Sequence, residues 1–107
     1  MTTESRSATA VLEGKELRAA INEVVSRHLD RRCFGVFLFG SESTGTAMAG
    51  SDIDIGILGN KPVPGRTMER IRADLEELRA LRRFDVIDFF VADRSFRNLV
   101  LKDAEKL

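Results

Sequence analysis

Residues 34–58 read FGVFLFGSESTGTAMAGSDIDIGIL. The opening, Phe34–Phe39, is a continuous apolar run closed by Gly40, which is the pattern of a central strand buried on both faces. The end, Asp52–Leu58, alternates acidic or small residues with isoleucines, so it is a second strand. Between them runs a loop of small residues, 40–51. Side chains alternate along a strand, so Asp52 and Asp54 share one face while Ile53, Ile55 and Ile57 enter the core from the other. Two carboxylates this close repel: at an effective dielectric of about 20, charges roughly 5 Å apart interact by about 3 kcal/mol. Without a cation at least one of their pKa values rises. A divalent cation reverses the cost, and Mg²⁺, with oxygen ligands at about 2.0–2.1 Å, characteristically joins one or two carboxylates to substrate phosphates.

Outward from this pair, the flanking segments supply a core. On the N-terminal side, Leu17, Ile21, Val24, Val25 and Leu29 recur at helical period between Lys15 and Asp30. On the C-terminal side, Gly59-Asn60 and the prolines Pro62 and Pro64 mark a loop, with Pro64 suited to the first turn of a helix. Met68, Ile71, Leu75 and Leu78 then form the buried stripe of a helix over about 65–81. Phe84–Val91 is a third strand containing Asp85 and Asp88, and Asp93 or Ser95 caps a final helix bearing Phe96, Leu99 and Val100. The order helix, strand, strand, helix, strand, helix describes an α/β fold, a small sheet covered by helices. Residues 1–13 are polar and small and form a mobile lead-in, leaving 14–107 as one domain.

Composition restricts the function classes. The chain has 107 residues, 43% of them hydrophobic, which suits one modest core. Lys plus Arg and Asp plus Glu number 17 each, so there is no strong nucleic-acid signal in the overall charge. No signal peptide or membrane-length apolar segment is visible, and the one cysteine allows no internal disulfide, which together place the protein in the cytoplasm. Cys33, beside Phe34, is expected as a small buried apolar residue. His28 has no second histidine to join it as a metal ligand, and as a polar residue near a helix end it suits the helix dipole.

Several features extend the acid pair into a site. Gly40-Ser41 follows the first strand directly, at its C-terminal end. Glycine lets backbone approach a ligand, and Ser41 offers a hydroxyl and an N–H to an anion. Gly45, Thr44, Thr46 and Gly50 keep the loop slim. Asp85 and Asp88, three residues apart, face opposite sides of an ideal strand, so one of them can join Asp52 and Asp54. Strand physics does not choose between them. Three acids on adjacent strands would hold one or two metal ions of the kind used in phosphoryl transfer.

The pattern Gly-Ser, a glycine four residues on, then Ser51-Asp52-x-Asp54 followed by apolar residues resembles the DNA polymerase β-like nucleotidyltransferase superfamily. The small size is similar to its minimal nucleotidyltransferase (MNT) branch, the antitoxin type of HEPN/MNT toxin–antitoxin pairs. The resemblance runs from about Leu17 to the C-terminal helix. It implies a nucleotidyltransferase fold with a small mixed β-sheet, nucleotide binding by Gly40, Ser41, Gly45 and Ser51, and metal binding and catalysis by Asp52, Asp54 and a third acid. In the family that acid lies in a segment of the form apolar-Asp-apolar-apolar, which Phe84-Asp85-Val86-Ile87 matches, so the resemblance favours Asp85. Its cofactors would be one or two Mg²⁺ ions, with ATP or another nucleoside triphosphate as substrate. Many relatives carry Arg before the loop glycine, where this chain has Thr44.

Two functions follow as expectations. The first is an Mg²⁺-dependent enzyme transferring a nucleoside monophosphate, AMP from ATP, to a hydroxyl of a helical HEPN-type toxin. The second is a catalytically weak antitoxin that binds the toxin stoichiometrically, motivated by Thr44. The chain contains no Tyr, so it cannot modify a tyrosine of its own. A phosphohydrolase is disfavoured because there is no histidine cluster. Apolar helix faces are open to a second copy of the chain or to a different protein.

Overall fold

The computed structural model describes residues 12–40, 52–80 and 82–107. Among the described residues seven elements follow in order: α1 (Gly14–His28), β1 (Phe34–Phe39), β2 (Ile53–Gly59), α2 (Gly65–Glu76), β3 (Phe84–Asp88), α3 (Arg94–Leu101) and β4 (Glu105–Lys106). The strands form one sheet in the order β3-β2-β1-β4. β1 runs antiparallel to β2 and β4, while β2 and β3 are parallel. A parallel pair cannot be joined by a tight turn, and α2 is the crossover between these two strands. The sheet is therefore mixed.

The helical period of α1 brings Leu17, Ile21, Val24 and Val25 onto one buried stripe, and that of α2 does the same for Met68, Ile71 and Leu75. Both stripes meet Val36, Leu38, Ile53, Ile55, Ile57 and Val86 in a single core. All three β2 isoleucines are fully buried, as the alternation predicts. His28 ties the two helices together: its Nε2 lies 2.7 Å from Asp74 Oδ2, and Arg27 approaches the same carboxylate at 3.7 Å. The helix-end histidine thus serves helix packing.

The opposite face of the sheet carries Phe37, Phe39 and Phe89. Phe89 stacks against Phe39 and Phe37 at centroid distances of 5.4 and 6.5 Å. A Cβ at Gly56 would lie 2.2 Å from the Phe89 ring, so the strand glycine is the seat of that ring. α3 rests here through Phe96, which meets Phe39 edge to face at 6.1 Å. This face is only partly covered, since Phe37 and Gly35 remain half-buried. β1 is thus not buried equally on both faces as its apolar run implies.

Other boundaries also depart from expectation. α2 ends at Glu76, short of residue 81, because the chain tightens through Glu77–Ala80 and the Arg79 carbonyl accepts from the Leu12 N–H instead of from a helical partner. β3 ends at Asp88 rather than Val91, because the Asp88 carbonyl accepts from Val91 and Ala92 and closes a turn. Of the two proposed caps of α3, Asp93 acts, its Oδ2 accepting from the Phe96 N–H at 3.2 Å. Cys33 is exposed, contrary to expectation, because it lies in the turn from Asp30 to β1 and not in the strand. The β4 ribbon has no apolar period and was not expected. It is fixed by the Leu107 N–H donating to Val36 and by the Arg18–Glu105 ion pair, 2.8 Å. The lead-in, apart from Leu12 and Glu13, lies outside the described residues.

Candidate active site

Asp54 sits at the centre of the arrangement. Its place in β2 puts it on the sheet face opposite the isoleucine core, directly across from Phe39 of β1 and from Asp85 of β3. In a parallel pair, residues in register point the same way, so the Asp54 and Asp85 carboxylates stand side by side. Asp52 precedes the strand and is exposed, as is Asp85, while Asp54 is half-buried. Burial holds the Asp54 carboxyl above the usual carboxylate range, and the negative charges of Asp85 and then Asp52 push it further in the same direction. Among the described residues none of the three acids is in an ion pair. The three acids thus gather negative charge in one place on a chain that is neutral overall.

Gly40 closes the patch from the β1 side. Its φ of +73° lies in the left-handed region that glycine adopts without strain. A Cβ there would fall 2.5 Å from Asp54 Oδ2. Glycine is thus required twice, by the turn leaving β1 and by the carboxylate against it. The structure therefore brings Gly40, Asp52, Asp54 and Asp85 together at one end of the strands, where β1 finishes and β2 and β3 begin. Ser41, Thr44, Gly45 and Ser51 lie outside the described residues.

Asp85 and Asp88, between which strand physics does not choose, have different surroundings. Asp88 is committed to the backbone: its Oδ2 accepts from the Val63 N–H at 2.8 Å and its Oδ1 from the Phe90 N–H at 2.9 Å. It pins the loop before α2 to the turn after β3, whereas Asp85 is the acid beside Asp54. No group of three or more His, Cys, Asp or Glu among the described residues is gathered tightly enough to form a ready-made cage for one ion. The donor set is nevertheless carboxylate oxygen, the type suited to a hard divalent cation whose remaining ligands come from phosphate and water.

Sequence reasoning missed the aromatic ground beside the acids. Phe39 pairs with Asp54, and Phe89 fills the space over Gly56, two residues further along the same face. The available signal was Gly56, since glycine inside a strand marks close approach of another group. Among the described residues, no helix is long and apolar enough to cross a membrane.

The sequence profile of the family described as polymerase beta, nucleotidyltransferase matches residues 20–107. Among solved structures, one from Shewanella oneidensis superposes with a TM-score of 0.67 at 20% identity, over 89% of this chain and 71% of that one. A toxin–antitoxin complex with AMP-PNP gives a TM-score of 0.66 at 21% identity, over 82% and 69%. A third, tri-AMPylated Shewanella oneidensis HEPN toxin with MNT antitoxin, gives 0.55 at 17% identity, over 84% and 70%. At these identities the likeness is one of fold. None of the curated proteins matches the chain.

Proposed function

The chain belongs to the polymerase beta nucleotidyltransferase family, and on that premise we propose that residues 14–107 form one domain that transfers AMP from ATP to a hydroxyl group. The acceptor is a hydroxyl of a HEPN-type toxin, and the protein is the MNT-type antitoxin of the pair, working in the cytoplasm. The observation that carries the reading is the Asp54–Asp85 pair in register beside the Gly40 turn, with Asp52 next to it. The solved complexes of like fold, one with AMP-PNP and one with an AMPylated HEPN toxin, support the choice of nucleotide and acceptor.

Asp52 and Asp54 would hold one or two Mg²⁺ ions, with Asp85 completing the set. A metal bound there would supply neutralisation of phosphate charge. Gly40 and Ser41, with Gly45 and Ser51, take up the phosphate chain through backbone N–H groups and hydroxyls. The acceptor oxygen attacks the α-phosphorus, the bond from that phosphorus to the bridging oxygen breaks, and pyrophosphate leaves. Asp85, the acid on the open side of the sheet, receives the hydroxyl proton.

The test is intact-mass analysis after incubation with Mg²⁺ and ATP, alone and with a helical protein that co-purifies. A nucleotide-sized gain on the partner that disappears in Asp54→Asn supports transfer. Thr44, in place of the Arg that the family resemblance leads one to expect, motivates the second reading of stoichiometric neutralisation. In that case a stable complex forms with no mass gain on either chain, and Mg²⁺ with ATP leaves the melting temperature unchanged.

A further inference from the structure

We propose that Phe96 is the stacking surface for the nucleobase of the bound nucleotide, an inference that rests on the nucleotidyl-transfer reading. Phe96 belongs to α3, an eight-residue helix with no buried residue although Phe96, Leu99 and Val100 share one side of it. The helix is nonetheless held in place. Asp93 caps it, and Arg97 Nη1 donates to the Phe89 carbonyl at 3.2 Å. The Phe96 ring meets Phe39 at 6.1 Å and 84°, yet the residue remains 38% exposed.

Position gives this exposure its meaning. Phe39 is the register partner of Asp54 and the residue before Gly40. Phe89, fully buried against Gly56, continues the aromatic floor on the same face. A row of rings therefore runs outward from the carboxylates, and Phe96 is its solvent-facing end. A nucleotide held by its phosphates at Gly40 and Asp54 has a planar base to lay on that face. An aromatic ring stacks on any base, and more area is covered by a purine than by a pyrimidine. Phe96 would thus add affinity and favour purines without reading hydrogen bonds.

The absence of Trp and Tyr from the chain supplies the experiment. Phe96→Trp introduces the single indole of the protein, and its fluorescence is titrated with Mg–ATP and with Mg–tripolyphosphate, which has phosphates but no base. Quenching by Mg–ATP and not by Mg–tripolyphosphate is expected. In a parallel calorimetric titration, Phe96→Ala should bind Mg–ATP about tenfold more weakly than wild type while binding Mg–tripolyphosphate equally well. Phe96→Leu, which keeps an apolar side chain against Phe39, should show the same selective loss. Unchanged ATP affinity in both variants overturns the proposal, as does an equal loss for both ligands. Wild-type protein that binds tripolyphosphate as tightly as ATP overturns stacking alone. Wild-type protein that binds neither ligand overturns the nucleotidyl-transfer reading and this inference with it.

Discussion

Gly40 and Asp54 leave no room for a methyl group between them: a Cβ on Gly40 would sit 2.5 Å from Asp54 Oδ2. The turn and the carboxylate therefore constrain each other. Gly40→Ala should lose about 1–2 kcal/mol from its left-handed φ alone, and it should displace the Asp54 carboxylate as well. Transfer activity is expected to fall further than stability. Urea denaturation and the mass assay measure the two separately, and an alanine variant with full activity would count against a carboxylate fixed by this turn.

Asp54→Asn should behave oppositely in stability. The Asp54 carboxyl is raised from its ordinary value of 3.8, first by burial and then by Asp85 and Asp52. A raised folded-state pKa gives a stabilising contribution that is complete below the unfolded value and lost as pH rises through the folded one. At neutral pH the ionised group is therefore a burden on the metal-free fold, and the near-isosteric amide removes it. The variant should melt at or above wild type at pH 7, with the difference closing as pH falls below the usual carboxylate range, while transfer is abolished. A clearly lower melting temperature at pH 7 would contradict the clustering of the three acids.

Asp85 and Asp88 should separate chemistry from structure. Asp85→Asn is expected to abolish transfer with little change in stability. Asp88→Ala removes the acceptor from the Val63 and Phe90 N–H groups and should cost about 1–3 kcal/mol. Comparing kcat with the urea midpoint for each variant makes the test, and the reverse ranking would mean that Asp88 is the site acid.

Gly56→Ala would drive a methyl group to within 2.2 Å of the Phe89 ring. Phe89 is fully buried and cannot swing clear. A loss of about 1–3 kcal/mol is expected from overpacking. Thermal or urea melts report it, and a neutral substitution would show that the aromatic face is loosely packed.

Addition of Mg²⁺ and ATP should raise the melting temperature of the wild-type protein, because a ligand that binds only the folded state stabilises it by mass action. Asp52→Ala should lose most of that rise. A shift of equal size in the variant would remove Asp52 from the metal set.

The sequence by itself determined the local matters. The alternation of Asp52–Leu58 set which face of β2 carries acids and which carries isoleucines, because a strand has a side-chain period of two. The helical period of Leu17–Val25 and Met68–Leu75 identified the stripes that cover the core, and the Gly-Ser and Asp-x-Asp spacing pointed to the family whose profile residues 20–107 match. Only the tertiary structure decided what depends on neighbours distant in sequence. The parallel register of β2 and β3 put Asp85 beside Asp54, while backbone hydrogen bonds from Val63 and Phe90 gave Asp88 to a turn. The exposure of Cys33, the β4 ribbon held by Arg18 and Val36, and the row of phenylalanines beside the acids belong to the same class. Periodicity records which side a residue faces, but pairing partners and register are set by how strands and helices far apart in the chain come together, and no local pattern encodes that.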